Sequence, residues 1–342
     1  MSITETTKAL LSVPGISGFE GDIAELACEK LSRYCSDARV TKTKSVVGTL
    51  MAKDPKAPTV MLEAHLDRIG LIVKAVDDAG FVEFTTLGGV DVRILPAAEV
   101  RILGKEEVYG VIGAKPPHIT SKSEASAAVS VENLLIDTGL GEAARDKISV
   151  GDPILLDFRF RELLNGRISS AALDNRLSMA AIFEVLEKLK GRDLPVNLAV
   201  GFTSGEEMGL QGAYTLSSEI QPDLAVVLDV TYGRTPDCED EGTFPLGSGV
   251  AILRGPNVHY EITKKTIAVA KAKGISYEIE VAPRSSGTTA WALQNSGNGI
   301  PCIILSIPLR YMHTTVETVD LYDVDCVCRL IEEIICGGEV IA

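Results

Sequence analysis

The chain has 342 residues, 46% of them hydrophobic, enough for a large core and too apolar for a globally disordered protein. Asp and Glu number 47 against 33 Lys and Arg, a net charge of -14, so the surface repels phosphate backbones and no nucleic-acid partner is expected. Seven scattered cysteines suggest reduced thiols rather than a disulfide framework.

The opening residues lack the cationic start and apolar core of a signal peptide. No apolar run reaches the roughly 18 residues that span a bilayer. A cytoplasmic protein with no membrane partner is the expectation.

Helical spacing of Ile23, Ala27, Leu31 and Tyr34 predicts a helix over 20–34, after a turn at Pro14-Gly15-Ile16-Ser17-Gly18. The nearly continuous apolar run over 58–65 predicts a strand buried on both faces. The texture then changes. Short β-rich runs at 70–76, 81–86, 99–103, 108–113 and 153–158 are separated by Asp77-Asp78-Ala79-Gly80, Gly88-Gly89 and Pro116-Pro117. Such regular punctuation predicts a small β domain inserted over 67–163.

Alternation of helices and strands resumes afterwards. Helices are expected over 171–190, 207–217, 260–273, 288–294 and 324–335, and strands over 196–202, 224–229, 277–281 and 300–307. The fold class is therefore α/β, a mostly parallel mixed sheet flanked by helices, with one discontinuous domain made of 1–66 and 164–342. Cys326 and Cys328 lie two apart in a helical stretch, so they face different ways and read as two unrelated thiols.

Polar residues stand at the ends of the predicted strands. His65 and Asp229 each end an apolar run, Glu206-Glu207 follow another at a turn into a helix, and His313 follows the last. Ligands of open α/β sheets collect at the carboxyl ends of strands, so these groups are expected in one crevice, joined by Asp174 at the start of the 171–190 helix. Each alone has an ordinary reading, as a satisfied histidine, a capping aspartate or a helix-start acid. Their joint recurrence favours a site for divalent ions such as Zn, Co or Mn. Of Glu206 and Glu207, one is expected to coordinate and the other to accept a proton from water.

Seven short motifs in order carry a resemblance that runs nearly end to end. They are Pro14-Gly-Ile-Ser-Gly-Phe-Glu20, His65-Leu-Asp-Arg-Ile-Gly70, Lys115-Pro-Pro-His118, Ala172-Leu-Asp-Asn-Arg176, Thr203-Ser-Gly-Glu-Glu-Met-Gly209, Leu228-Asp-Val230 and Ser306-Ile-Pro-Leu-Arg-Tyr-Met-His313. In these the chain resembles the M42 family of metallo-aminopeptidases. The resemblance implies a zinc-peptidase-type fold and removal of residues from the free amino ends of peptides. It also implies two divalent metal ions, one on His65 and Asp229, the other on Glu207 and His313, with Asp174 bridging. Glu206 would be the general base, and Asp67 would orient His65. The family's inserted β domain serves contacts in dimers or dodecamers, so a homo-oligomer is expected.

Two departures stand out. Arg68 replaces an acidic residue common after His-x-Asp, and Thr289 replaces a frequent aspartate. Both bear on the charge of the substrate pocket, whose residues the sequence leaves unassigned. His118 and His259 are not ligands by this mapping. Alternatives are a two-metal carboxypeptidase or deacylase of related fold, and a glycoside hydrolase. The last would leave His65 and His313 without a role.

Overall fold

The computed structural model describes residues 2–121, 129–238, 241–338 and 340. Its backbone is an 11-stranded mixed sheet covered by helices, with a closed six-stranded barrel beside it. Four strands are parallel at the sheet's centre, in the order Asn197–Thr203, Thr59–His65, Leu224–Tyr232 and Cys302–Arg310. Each is almost wholly buried, which explains why each reads as an apolar run rather than an alternation. Antiparallel strands flank them, Val46–Leu50 on one side and Glu317–Asp320 with the hairpin Arg161–Leu163 and Arg167–Ser170 on the other.

Register decides where the chemistry falls. Thr203 lies opposite His65, and Asp229 opposite Ser306, so the carboxyl ends of the parallel strands share one edge. The central helix Leu173–Leu189 packs across one sheet face, beside Leu321–Gly337 and Ile3–Leu11. Leu177, Ala181, Val185 and Leu189 make its buried stripe.

The barrel closes through Gly70–Val76, Val82–Leu87, Leu135–Asp137, Glu107–Gly113, Glu99–Leu103 and Pro153–Leu156. Glu107–Gly113 alternates exposed and buried residues, as a strand with one solvated face must. Its inward residues join Leu71, Val73, Phe84, Val100 and Ile102 in a core separate from that of the large sheet. Residues 122–128 of the expected insertion lie outside the described residues.

Several local expectations need correcting. The helix expected over 207–217 is two pieces, Glu206–Gly209 and Gln211–Ile220, broken by Leu210 at φ 65. Gly205 at φ 64 precedes the first piece, a left-handed conformation that glycine adopts without steric cost. Asp229 lies inside its strand, which runs on to Tyr232, because Thr231 and Tyr232 still pair with the neighbouring strand. Apart from these corrections, Gly247 and Gly249 lead into a strand, Val250–Arg254, and their N–H groups donate to Asp323.

Candidate active site

His65, Asp174, Glu206, Glu207, Asp229 and His313 line one cleft of about 410 Å³ at the carboxyl edge of the parallel strands. His65 is the last residue of its strand and is 2% exposed. Asp174 follows Ala172, which is left-handed at φ 56, and its own backbone is not yet helical. This entry to the helix turns the carboxylate toward the strands. His313 reaches the cleft from the connection after Cys302–Arg310, at φ 62.

Asp174 is the pivot. Its Oδ1 lies 3.1 Å from His65 Nε2, and its Oδ2 lies 3.4 Å from His313 Nε2. His65 Nε2 is also 3.8 Å from Asp229 Oδ1, and His313 Nε2 is 3.4 Å from Glu207 Oε2. Two donor groups result, His65 with Asp174 and Asp229, and Asp174 with Glu207 and His313. Within each, the donor atoms lie within 4.8 Å of one another.

The other nitrogen of each histidine meets a backbone carbonyl. His313 Nδ1 is 2.9 Å from Gly89 O, and His65 Nδ1 is 3.2 Å from Asp67 O. Placing a proton on each Nδ1 leaves both Nε2 lone pairs facing carboxylate oxygens. Such lone pairs can face carboxylates only across a shared cation, a proton or a metal ion, and the clustering of both histidines with several acids fits divalent metal ions.

Asp67 stands against His65 Nδ1 with both its carbonyl and its carboxylate. Its carbonyl is nearer to His65 Nδ1 than its carboxylate, which stands 3.6 Å away. The carboxylate also accepts the N–H of Glu206 at 3.0 Å, the N–H of Glu207 at 3.2 Å and the Ser17 hydroxyl. It fixes the turn that presents both glutamates. Ser17 belongs to the Pro14–Glu20 motif, which thereby acquires a role at the site.

Charges in the cleft are out of balance. Burial, with the neighbouring acids, pushes Glu206 and Glu207 up to about 8 and Asp229 well above its usual range. Asp174 goes the other way: burial opposes its charge, yet hydrogen bonds from His313 and His65 hold it below the usual carboxylate range. His313 is lifted to about 10, against burial, by Asp174 and Glu207. His65 rises well above its ordinary value, against burial, through Glu206, Asp174 and Asp67. Several acids crowd two imidazoles, which is the electrostatic counterpart of the geometric fit to cations.

Other sequence candidates fall outside the cleft. Arg68 is buried behind the site, its guanidinium 5.0 Å from the centre of the Phe158 ring. Thr289 is buried too and donates to Glu63. Neither lines the cleft, although the buried Arg68 charge still acts on Glu207 in its wall. His259 caps the helix Tyr260–Ala272, its Nδ1 accepting from Ile262 N at 3.4 Å, and His118 lies in the turn Pro117–Ile119. Sequence reasoning missed Gly89, Thr231, Glu280 and Met312 in the cleft wall. For Gly89 a signal existed, a glycine pair in a segment otherwise read as a mere turn.

Fold and donor set together define a metal-dependent peptidase. Residues 45–330 match the model of the M42 glutamyl aminopeptidase family. The chain is 30% identical to the lysyl aminopeptidase of Pyrococcus furiosus, over 95% of this chain and 94% of that one. It is 32% identical to the "Putative aminopeptidase" of Acetivibrio thermocellus, over 96% and 97%. Among solved structures, a TET aminopeptidase from a marine-sediment archaeon of the Thaumarchaeota superposes with a TM-score of 0.92. It is 29% identical, with 98% of this chain and 96% of that one covered. The TET1 peptidase of Pyrococcus horikoshii, which can assemble into a tetrahedron or a large octahedral shell, gives 0.86 at 28% identity, over 98% and 99%. The chain belongs to the M42 glutamyl aminopeptidase family, and its activity is that of a metal-dependent aminopeptidase.

Proposed function

We propose that the chain releases N-terminal residues from peptides with two divalent ions, Zn, Co or Mn, held side by side in the cleft. His65 and Asp229 would hold one, Glu207 and His313 the other, with Asp174 shared. The observation that carries this reading is the division of Asp174, whose two oxygens face two different histidines. Such ions, when bound, lower the pKa of water toward neutrality and polarise a carbonyl.

Glu206 lines the same cleft yet belongs to neither donor group. That position suits a general base, which takes the proton of the attacking water on its carboxylate and returns it to the leaving amine. Asp67 keeps Glu206 and Glu207 in register by holding both of their N–H groups. The substrate's free amine would sit against the acids of the cleft, which explains a need for an unblocked N-terminus.

Residues 1–66 and 164–342 would form the catalytic domain, and 67–163 an inserted domain for subunit contacts in a dimer or dodecamer. Tyr109, Val111, Ile119 and Leu135 are exposed in this stretch and offer apolar surface for such contacts. Among the described residues no helix is long and apolar enough to cross a membrane, and a cytoplasmic location is part of the proposal.

The test is hydrolysis of amino-acid p-nitroanilides by chelated protein before and after adding Zn, Co or Mn. Metal-restored release from free-amine substrates, with N-acetylated analogues inert, is expected. Silence across the panel with every metal would sink the reading, and cleavage of the acetylated analogues would move it to a deacylase. Glu206→Gln should keep its metal content while losing at least about a hundredfold in turnover.

A further inference from the structure

We propose that Glu280 selects the first residue of the substrate: its carboxylate receives the cationic end of an N-terminal lysine or arginine side chain. The inference rests on the aminopeptidase reading and deepens it.

Glu280 stands on the edge strand Tyr277–Val281, which pairs only with Val250–Arg254 among the described residues. Its side chain turns back into the catalytic cleft. Oε1 accepts a hydrogen bond from Thr231 Oγ1 at 3.0 Å. Oε2 is buried and has no hydrogen-bond partner among the described residues. Unpaired and shielded from water there, an ionised oxygen is costly, and a turn of the carboxylate into the cleft would offer it to a donor from outside the protein, a role a cation fills best.

Distance favours the far end of a side chain rather than the α-amine. Thr231 is two residues beyond Asp229 on one strand, so both point to the same face, roughly 7 Å apart. A substrate whose amine and scissile carbonyl lie at the Asp174–Asp229 end must span that gap to reach Glu280. The flexible four-carbon stem of lysine suits such a span, and arginine is of similar reach. Tyr232 and Met312 are also in the cleft wall and supply apolar surface against which the stem can lie.

Charge points in the same direction. Among the described residues no Lys or Arg lines the cleft. The other acids are engaged by the proposed ions or serve as the base, which leaves Glu280 with neither role; burial raises its carboxyl, and a cationic partner would hold it ionised. An acidic first residue would meet repulsion there, and an aliphatic one would bury the carboxylate without a partner. The competing view is that Glu280 merely anchors Thr231, a task that uses one of its two oxygens and that glutamine would also perform.

The experiment compares lysyl, arginyl, norleucyl and glutamyl p-nitroanilides on the metal-loaded protein and on Glu280→Gln. Norleucine keeps the stem and lacks the ammonium. The expected kcat/KM ratio of lysyl to norleucyl substrate is about tenfold to a hundredfold in the unaltered protein, and it should collapse toward unity in the variant. Titration calorimetry with free L-lysine and L-norleucine provides a binding readout independent of turnover, with the same ratio and the same loss expected. A ratio unchanged by Glu280→Gln, or a preference for norleucyl or glutamyl substrate before mutation, overturns the proposal. If no free-amine substrate is cleaved, the aminopeptidase reading has failed, while the two binding ratios still decide the part played by Glu280.

Discussion

Glu317 accepts the backbone N–H of Asp174 at 3.1 Å on one carboxylate oxygen, and the N–H of His313 at 2.9 Å on the other. It is 2% exposed, and burial together with Asp174 lifts its carboxyl to about 8. The strand Glu317–Asp320 pairs with Arg167–Ser170 so that Glu317 faces Ser170, just ahead of the turn that delivers Asp174. Asp67 does the same for Glu206 and Glu207, so two buried carboxylates each brace a pair of cleft residues from behind. Glu317→Ala would leave two N–H groups without acceptors. We expect metal affinity to fall about 10–100-fold and stability by about 1–3 kcal/mol. Chelator competition and thermal unfolding of the metal-free protein measure the two effects separately. Undiminished metal retention would show that Asp174 and His313 need no such brace.

Gly89 is the barrel's contribution to the catalytic edge. Its carbonyl meets His313 Nδ1, and a Cβ at this position would come within 2.7 Å of that nitrogen and 3.0 Å of Cε1. No real Cβ contact is that short, so Gly89→Ala must displace the imidazole. A misplacement of about 1 Å costs on the order of a hundredfold in rate. Gly89→Ala should therefore lower kcat/KM by roughly that factor while changing the melting temperature little. Wild-type turnover by this variant would show that His313 tolerates the shift.

What the sequence revealed and what it hid divide along local and non-local lines. Strands such as Thr59–His65 show their burial in an unbroken apolar run and helices such as Leu173–Leu189 in the spacing of their apolar residues, so both were legible from local sequence. His65, Glu207, Asp229 and His313 were legible because each stands at or near the end of an apolar run, where a parallel sheet opens its crevice. Glu317 and Glu280 were not. Their partners lie 143 residues away at Asp174 and 49 away at Thr231, and only the folded register brings them together. The strand Glu317–Asp320 is too short to show periodicity, although all four residues are buried. The placing of Arg68 was hidden for a similar reason: it follows His-x-Asp in the chain, while its side chain packs on Phe158 outside the cleft lining. The N-terminal helix Ile3–Leu11 was legible and overlooked, since Ser2 and Glu5 form a capping box.

Metal binding should release protons. Without cations, His313 is held up to about 10, His65 and Asp229 well above their ordinary values, and Glu206 and Glu207 up to about 8. Burial with neighbouring acids raises the carboxyls. The imidazoles rise against burial because those acids surround them. At neutral pH the metal-free cleft therefore carries protons on both histidines and on part of its carboxyl set. Coordination needs the deprotonated forms, so each bound ion must displace them. The sign follows directly: apparent metal affinity rises as pH increases through 7 and on toward about 10, and falls as pH decreases. Calorimetric titration of Zn into chelated protein at pH 7, repeated in buffers of different ionisation enthalpy, counts the protons. We expect net release of at least one proton per chain, and acidification that strips the metal before it unfolds the protein. A buffer-independent enthalpy would mean that the histidines are already neutral without metal, and that Asp174 does not draw them toward the charged state.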